Sequence, residues 1–474
     1  MQSTGLKKYK KISNMSTTKL TPILHNWVQN LKSQPSLLRE AIEEYGSPLN
    51  IHNLEPFYEN VNKYNEVFSN LNIQGKAFFA RKANRCLSLL TGTHQHNYGI
   101  DTASYHELKQ SLDQGVSSHN LVVTAAVKPD QLLELAIKND VLIIIDNQDE
   151  VQAISRLADG KKVNVGFRLS GFKFNGSKAY SRFGIDILDA KDFITEHLAS
   201  HPNLIYKGLH FHLDGYDLDQ RRSALSDCIA LSRDLEGTEF IDIGGGLLMN
   251  YLQSEEEWEA FDKRLRQGIS GKSEEVTYRN NGLGYELVNG QVTGKLKTYP
   301  YYNNLNKDNA LQYILEGEIA DQLRAAGIEL RIEPGRSLLD QVGFTIAKVI
   351  HRKKDQNGDH HIGLEMNMTQ MLSGSADFLL DPIVLYNNSE NLEPVDVYFT
   401  GAYCLERDVL LKRKISLDRL PEVNDLVIFP NTAGYMMHFF ESEAHQFPLA
   451  KNVFVENKNG VMEFSKDQLS DVRH

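Results

Sequence analysis

Eight short apolar runs alternate with amphipathic stretches through the middle of this chain. No other feature limits the possible folds as much. The runs are Ala77–Ala80, Tyr98–Thr102, Leu121–Thr124, Val141–Asp146, Val163–Leu169, Tyr206–His212, Phe240–Gly244 and Glu329–Glu333. Short continuous apolar runs suit parallel strands covered on both faces. Between them, Tyr105–Gln114, Pro129–Lys138, Asp149–Ala158 and Asp219–Leu235 show helical periodicity. Parallel neighbours need long crossovers, usually helices. Eight runs with seven crossovers therefore predict an α/β fold built on a (β/α)8 TIM barrel rather than an open sheet.

The flanks differ in texture. Residues 1–35 read as a polar leader with a connecting helix, and 36–56 carry a short strand at Leu49-Asn50-Ile51. The barrel is expected over 57–340. After the seventh run, a polar, tyrosine-rich insertion spans 247–309 with a hairpin turn at Asn289-Gly290. Its place after a strand puts it on the face where barrel active sites lie. From 341 to 474 the chain turns β-branched and alternating, at Phe344–His351, Val395–Thr400 and Asp425–Phe429. A mostly β domain is expected there, joined by the early strand near Ile51.

Composition narrows the class. Hydrophobic residues make up 41% and charged residues 24% of the chain, as in ordinary globular proteins. The net charge of −11 speaks against nucleic acid or an anionic membrane surface as partner. No run is long enough for a membrane span and no apolar signal segment opens the chain. Three scattered cysteines, Cys86, Cys228 and Cys404, suit a reducing compartment. A cytoplasmic protein is expected.

Chemistry-bearing residues cluster where the runs end. Ala80-Arg81-Lys82-Ala83-Asn84 places a lysine at the end of the first run, where desolvation would lower its pKa and make it a nucleophile. His210-Phe211-His212 ends the sixth. With no cysteine or carboxylate cluster at metal spacing beside the pair, no metal is expected. Asp242-Ile243-Gly244-Gly245-Gly246 ends the seventh, and three glycines let backbone N–H groups approach an anion. Glu333-Pro334-Gly335-Arg336-Ser337 ends the eighth. Further on stand Gly401-Ala402-Tyr403-Cys404-Leu405-Glu406-Arg407-Asp408 and Asn431-Thr432-Ala433-Gly434-Tyr435-Met436.

In this order, over about residues 45–450, the motifs resemble the pyridoxal 5'-phosphate (PLP) enzymes of the alanine racemase fold, fold type III. The branch is that of the diaminopimelate, ornithine, arginine and carboxynorspermidine decarboxylases. The resemblance implies a PLP-dependent amino acid decarboxylase, a homodimer sharing active sites across its interface. It implies that Lys82 carries PLP covalently and that His212 stacks on the cofactor ring. Gly244, Gly245 and Gly246 would bind the phosphate. Glu333 would pair with the ring nitrogen. Gly335 and Arg336 would lie near phosphate or substrate, and Tyr435 would reach the phosphate. Cys404 resembles the cysteine lent by the neighbouring subunit to act at the substrate α-carbon. Ser181-Arg182-Phe183-Gly184 is similar to the family's S-K-F-G element, with Arg for Lys. A racemase or epimerase on the same fold, or an inactive regulatory homologue, are the alternatives. Glu333 speaks against the racemases, which place an arginine against the ring nitrogen.

Departures fall on the substrate side. Leu213-Asp214-Gly215 follows His212 where the family has Gly-Ser. Leu405 follows Cys404 where diaminopimelate enzymes have glutamate and ornithine enzymes aspartate. Asp381-Pro382-Ile383-Val384-Leu385-Tyr386 stands nearest to an R-P-x-L-Y element whose arginine grips a distal carboxylate. Asp381, Tyr386, Glu406 and Asp408, with Arg336, are the candidate substrate residues. Asp381 or Glu406 would receive a distal amine. The expected substrate is not diaminopimelate but a diamino acid or amino acid conjugate of secondary metabolism.

Overall fold

A computed structural model describes residues 18–374, 377–388 and 392–467. Residues 1–17 of the expected leader lie outside the described residues. Helices Asn26–Lys32 and Pro35–Tyr45 follow it, and the strand Leu49–His52 comes next.

The barrel strands are β1 (Gly75–Ala80), β2 (Tyr98–Thr102), β3 (Leu121–Val123), β4 (Leu142–Ile145), β5 (Val163–Ser170), β6 (Leu204–Phe211), β7 (Phe240–Asp242) and β8 (Glu329–Ile332). All eight pair in parallel, each with the next. Leu330 of β8 lies opposite Gly75 of β1, which closes the ring. The expected strands were right to within two or so residues at each end. The C-terminal ends are the corrections that matter: His212, Gly244 and Glu333 sit just past their strands, in the loops.

The barrel interior is filled by few, large side chains. Phe78, Val122, Ile144 and Phe240 form a buried layer of their own. Gly99, Gly166 and Gly208 make room for them. A Cβ on Gly99 would strike the Phe78 ring, one on Gly166 would meet Ile144 and Phe240, and one on Gly208 would strike the Phe240 carbonyl and ring. Large and small residues thus alternate across neighbouring strands, as close packing requires. The opposite strand faces, such as Ala77, Phe79, Ile143 and Leu209, join the larger core under the helices.

The chain divides into two compact units, and not at residue 340. Of the described residues, the barrel unit holds 24–250, 303–345 and 430–467. The described residues from Pro430 to Asp467 group with the barrel in this division, while their strands Lys451–Lys458 and Val461–Lys466 belong to the same sheet as Leu49–His52 and Gly343–Lys354, as expected for the β domain. Leu49–His52 runs parallel to Lys451–Lys458, with Ile51 opposite Val453, and Lys451–Lys458 pairs in turn with Val461–Lys466, so the early strand joins the C-terminal strands. The Tyr435 N–H also donates to the Ala83 carbonyl at 2.8 Å.

The second unit holds the described residues before Leu24, together with 251–302 and 346–429. It is mostly β. His360–Leu364 pairs antiparallel with the strand ending at Lys354 and parallel with Val395–Thr400, and Ile383–Leu385 pairs with Leu426–Phe429. The insertion after β7 is not the loop its polarity suggested. Glu255–Ile269 is a helix whose Ser254 side chain accepts from the Glu257 N–H, with three glutamates in its first turn. Cap and acidic first turn both favour a helix start. The expected hairpin is present as Tyr285–Val288 and Gln291–Gly294, with positive φ at Asn289 and Gly290. Among the described residues no helix is long and apolar enough to cross a membrane.

Gly208→Ala should overpack the barrel against the Phe240 carbonyl. It is expected to destabilise the protein by about 1–3 kcal/mol, read as a lower urea midpoint at unchanged slope. An unchanged midpoint would show that this layer is not close-packed.

Candidate active site

The rim at the strand C-termini gathers the site. Ala80 of β1 lies opposite Asp101 of β2, so Lys82, in the turn Arg81–Ala83, stands beside that carboxylate. Lys82 Nζ is 3.7 Å from Asp101 Oδ2, an ion-pair distance without a hydrogen bond. Burial pulls the Lys82 pKa down, but Asp101, then Tyr435 and Glu333, outweigh it and hold the amine above the ordinary lysine range. The lowered pKa expected from its strand-end position is therefore corrected. Desolvation is real, and neighbouring negative charge defeats it.

Deeper in the rim lie two carboxylates and a histidine. His210 Nε2 is 3.3 Å from Glu333 Oε1, and both side chains are buried. Burial and the neighbouring Asp101 push the Glu333 pKa up to about 8. Burial and Glu333 push Asp242 up to about 8 as well. Burial pushes His210 down to about 4. Two carboxyl groups this close in low dielectric hold protons between them rather than two negative charges.

Atoms of His210, Asp242 and Glu333 lie within 4.8 Å of one another, a spacing that could hold a cation. The sequence showed the pair of histidines but not that Asp242 and Glu333 converge on it. Lys82 and Arg168 already place positive charge against Glu333. A proton-bearing partner therefore suits the cluster better than a divalent ion.

The loop after β7 packs on the loop after β6. A Cβ on Gly244 would strike the His212 ring edge, and one on Gly245 would run into the Glu333 carbonyl. The Glu333 N–H donates to the Gly244 carbonyl at 2.9 Å. Burial, then Lys82 and Arg221, keep His212 far below its usual pKa and hence neutral. The Tyr435 hydroxyl stands where a Cβ on Gly335 would be. Arg336 donates to the Gly434 carbonyl at 3.3 Å and lies 5.3 Å from the Tyr435 ring centre. Lys82, His212, Gly244, Gly245, Gly246, Glu333, Gly335, Arg336 and Tyr435 thus all belong to one compact unit and pack on one another around the rim.

The rim fits PLP on two observations. Glu333 Oε1 is buried and makes no hydrogen bond, with His210 Nε2 3.3 Å away, so it can still accept from an N–H donor. The Gly244–Gly246 loop has positive φ at both ends and no space for side chains, so its backbone is the surface an anion would meet.

The other candidates lie in the second unit. Cys404 is exposed. Glu406 is exposed and pairs with Arg279 of the insertion at 2.6 Å. Three substrate candidates are committed elsewhere. Asp381 pairs with the buried Arg413 and accepts from the Leu20 N–H at 3.1 Å. The Tyr386 hydroxyl donates to the Arg419 carbonyl at 3.0 Å, with the Arg419 guanidinium over its ring. Asp408 is buried and accepts from the Met368 and Tyr403 N–H groups, each at 2.7 Å, so it builds the turn that presents Cys404. Their local partners consume the charge or hydroxyl that a substrate would need.

The sequence reading missed Asp101, Arg168 and Arg221. An acid closing the strand next to the lysine's was a usable signal for Asp101. The Ser181–Gly184 element gains its meaning from Arg168, whose guanidinium lies 4.3 Å from the Phe183 ring centre while Asp146 accepts from the Gly184 N–H.

Comparison with known proteins agrees. Residues 54–277 match the family described as pyridoxal-dependent decarboxylase, pyridoxal binding domain. The chain is 28% identical to the uncharacterized protein y4yA of Sinorhizobium fredii, over 96% of this chain and 98% of that one. It is 22% identical to a diaminopimelate decarboxylase of Bacillus methanolicus, covering 89% and 91%. The fold matches the Helicobacter pylori diaminopimelate decarboxylase solved with L-lysine, with TM-score 0.65, 18% identity and coverage of 92% and 98%.

Glu333 and Asp242 keep protons up to about pH 8 in the fold, but only through the ordinary carboxylate range when unfolded. Their protonation therefore stabilises the fold, and that contribution is lost as pH rises towards 8. His210, neutral in the fold, opposes this only below its ordinary value of 6.5. Cofactor-free protein should thus lose about 1 kcal/mol or more between pH 6.5 and 8, and Glu333→Gln should flatten the slope. Denaturant melts across that range check it, and a wild-type slope of zero would refute the proton-sharing pair.

Proposed function

We propose that this chain is a pyridoxal-dependent decarboxylase of the alanine racemase fold and that it removes the α-carboxylate of an amino acid other than diaminopimelate. The buried Glu333 oxygen that makes no hydrogen bond, beside Lys82, carries the reading. A carboxylate at that place suits a protonated pyridine ring, and a protonated ring is the stronger electron sink.

Bound PLP supplies that sink, storing the electron pair left at the α-carbon when CO2 departs. The protein's own residues do the rest. Lys82 holds the cofactor covalently. His212, neutral and packed on the glycine loop, offers a flat uncharged face to the ring. Glu333 keeps a proton at the ring nitrogen, with Asp242 and His210 buffering it from behind. Backbone N–H groups of Gly244–Gly246, with the Tyr435 hydroxyl, receive the phosphate. Arg336 stands beside Tyr435 on the substrate side.

Cys404 acts across a homodimer interface in this reading. Its thiol gives a proton from Sγ to the α-carbon, and the thiolate regains one from solvent. Its exposure in a single chain supports that role.

The substrate side supports a different amino acid. An acid, Asp381, stands where a distal-carboxylate arginine would be expected, and Arg413 already neutralises it. Leu405 follows Cys404. Glu406 is the acidic side chain of that loop left exposed, so the reading favours a diamino acid, or an amino acid conjugate of secondary metabolism carrying an amine.

A panel of D- and L-amino acids, diamino acids and conjugates should give stoichiometric CO2 from one class, with diaminopimelate inert or slow. Rapid CO2 release from diaminopimelate would overturn the substrate reading, and inverted stereochemistry without CO2 would overturn decarboxylation. Glu333→Gln should lower CO2 release by about a hundredfold or more while leaving PLP attached to Lys82. A rate near wild type would remove Glu333 from the mechanism.

A further inference from the structure

We propose that Arg221 is the buried cation that answers the cofactor's phosphate from behind the Gly244–Gly246 loop, an inference that rests on the PLP reading above. Arg221 lies in the first turn of the helix Leu218–Ser232 and is fully buried. Among the described residues no carboxylate pairs with it. Its only hydrogen bonds are long ones to carbonyls, 3.5 Å to Ile243 and 3.3 Å to Gly215, and its Nε has no partner. Asp217 is the one acid acting on it, and that side chain is exposed and caps the helix through the Gln220 N–H.

A guanidinium has five donors and no acceptor, and burying it without a counter-charge is costly. A buried structural arginine is answered by a carboxylate or by close carbonyl acceptors, as Arg81 is by the Asn84 and Arg85 carbonyls. The buried Arg413 of this chain is answered by Asp381. Arg221 has no such answer.

Its position shows what is missing. Ile243 leads directly into the glycine triplet, and Gly215 lies in the turn after His212. Gly246 has φ +88°, and a Cβ there would collide with Arg221 Nη2. The guanidinium therefore occupies the side-chain space of the last glycine, against the loop whose N–H groups face an anion. Glycine is needed at 246 for the backbone angle and for the approach of this cation. A phosphate on the loop would bring two negative charges beside an unanswered positive one whose own side chain is buried. Arg221 is a positioning and charge-compensating residue, since it touches neither substrate nor the reacting atoms.

The test compares ligands that differ only in the phosphate. Full-length protein stripped of cofactor is titrated with PLP and with pyridoxal, followed by the visible absorbance of the Lys82-bound chromophore. Arg221→Met should reduce the preference for PLP over pyridoxal by about tenfold to a hundredfold while leaving pyridoxal binding unchanged. Arg221→Lys should restore part of the preference. Inorganic phosphate alone should raise the melting temperature of the stripped wild type and not of Arg221→Met. An unchanged PLP-to-pyridoxal ratio in Arg221→Met overturns the inference, as does equal weakening of both ligands, which marks a merely structural arginine. Should Arg221→Met not fold, a wild-type melting temperature indifferent to phosphate overturns it equally. A wild type that binds neither PLP nor pyridoxal would instead sink the cofactor reading itself.

Discussion

Everything in the site depends on eight strands running in the same direction around a closed hydrogen-bond ladder. In an open or mixed sheet, strand ends scatter to several edges. Here the pairing of β8 with β1 and of β6 with β5 leaves a single rim for all eight C-terminal ends. Residues as distant in the chain as Lys82, His212, Gly244 and Glu333 meet there because the ladder leaves them nowhere else to be, and the Tyr435 N–H joins them by donating to the Ala83 carbonyl. The inward glycines at 99, 166 and 208 let Phe78 and Phe240 fill the barrel, so the rim stands on a packed floor rather than over a pore.

That floor sets the electrostatics. Once water is excluded, Asp242 and Glu333 do not both ionise, since burial raises both pKa values. Lys82 and Arg168 offset part of the charge, and shared protons offset more. The same low dielectric that raises Glu333 keeps His210 and His212 neutral, and it makes Arg221 conspicuous as an unanswered cation. One physical cause, desolvation at the rim, prepares a carboxylate for a ring nitrogen, a neutral imidazole face for the ring, and positive charge for a phosphate.

The barrel was legible because each strand is covered on both faces, which leaves apolar runs that helical crossovers separate. The strand-end residues were legible for the same reason: a run's last residue marks the rim. Three things were not. The helix Glu255–Ile269 hides behind its acidic face, and its signal was the Ser254 cap rather than hydrophobicity. The pairing of Lys451–Lys458 joins it to a strand some four hundred residues earlier, and no local pattern encodes a partner at that distance. The fates of Asp381, Tyr386 and Asp408 depend on Arg413, Arg419 and two backbone N–H groups, and composition gives no hint of such neighbours.

By itself, the order of amino acids determined the strand count and the closed architecture, since periodicity is a local property, and its strand-end motifs carried the family resemblance that implied the chemistry. Only the tertiary structure decided which charges meet. It raised the Lys82 pKa where desolvation alone would lower it, joined Asp242 and His210 to Glu333, and left Arg221 without a counter-ion. Charge–charge energies depend on distance and dielectric, and both are set by the packing of segments far apart in the chain.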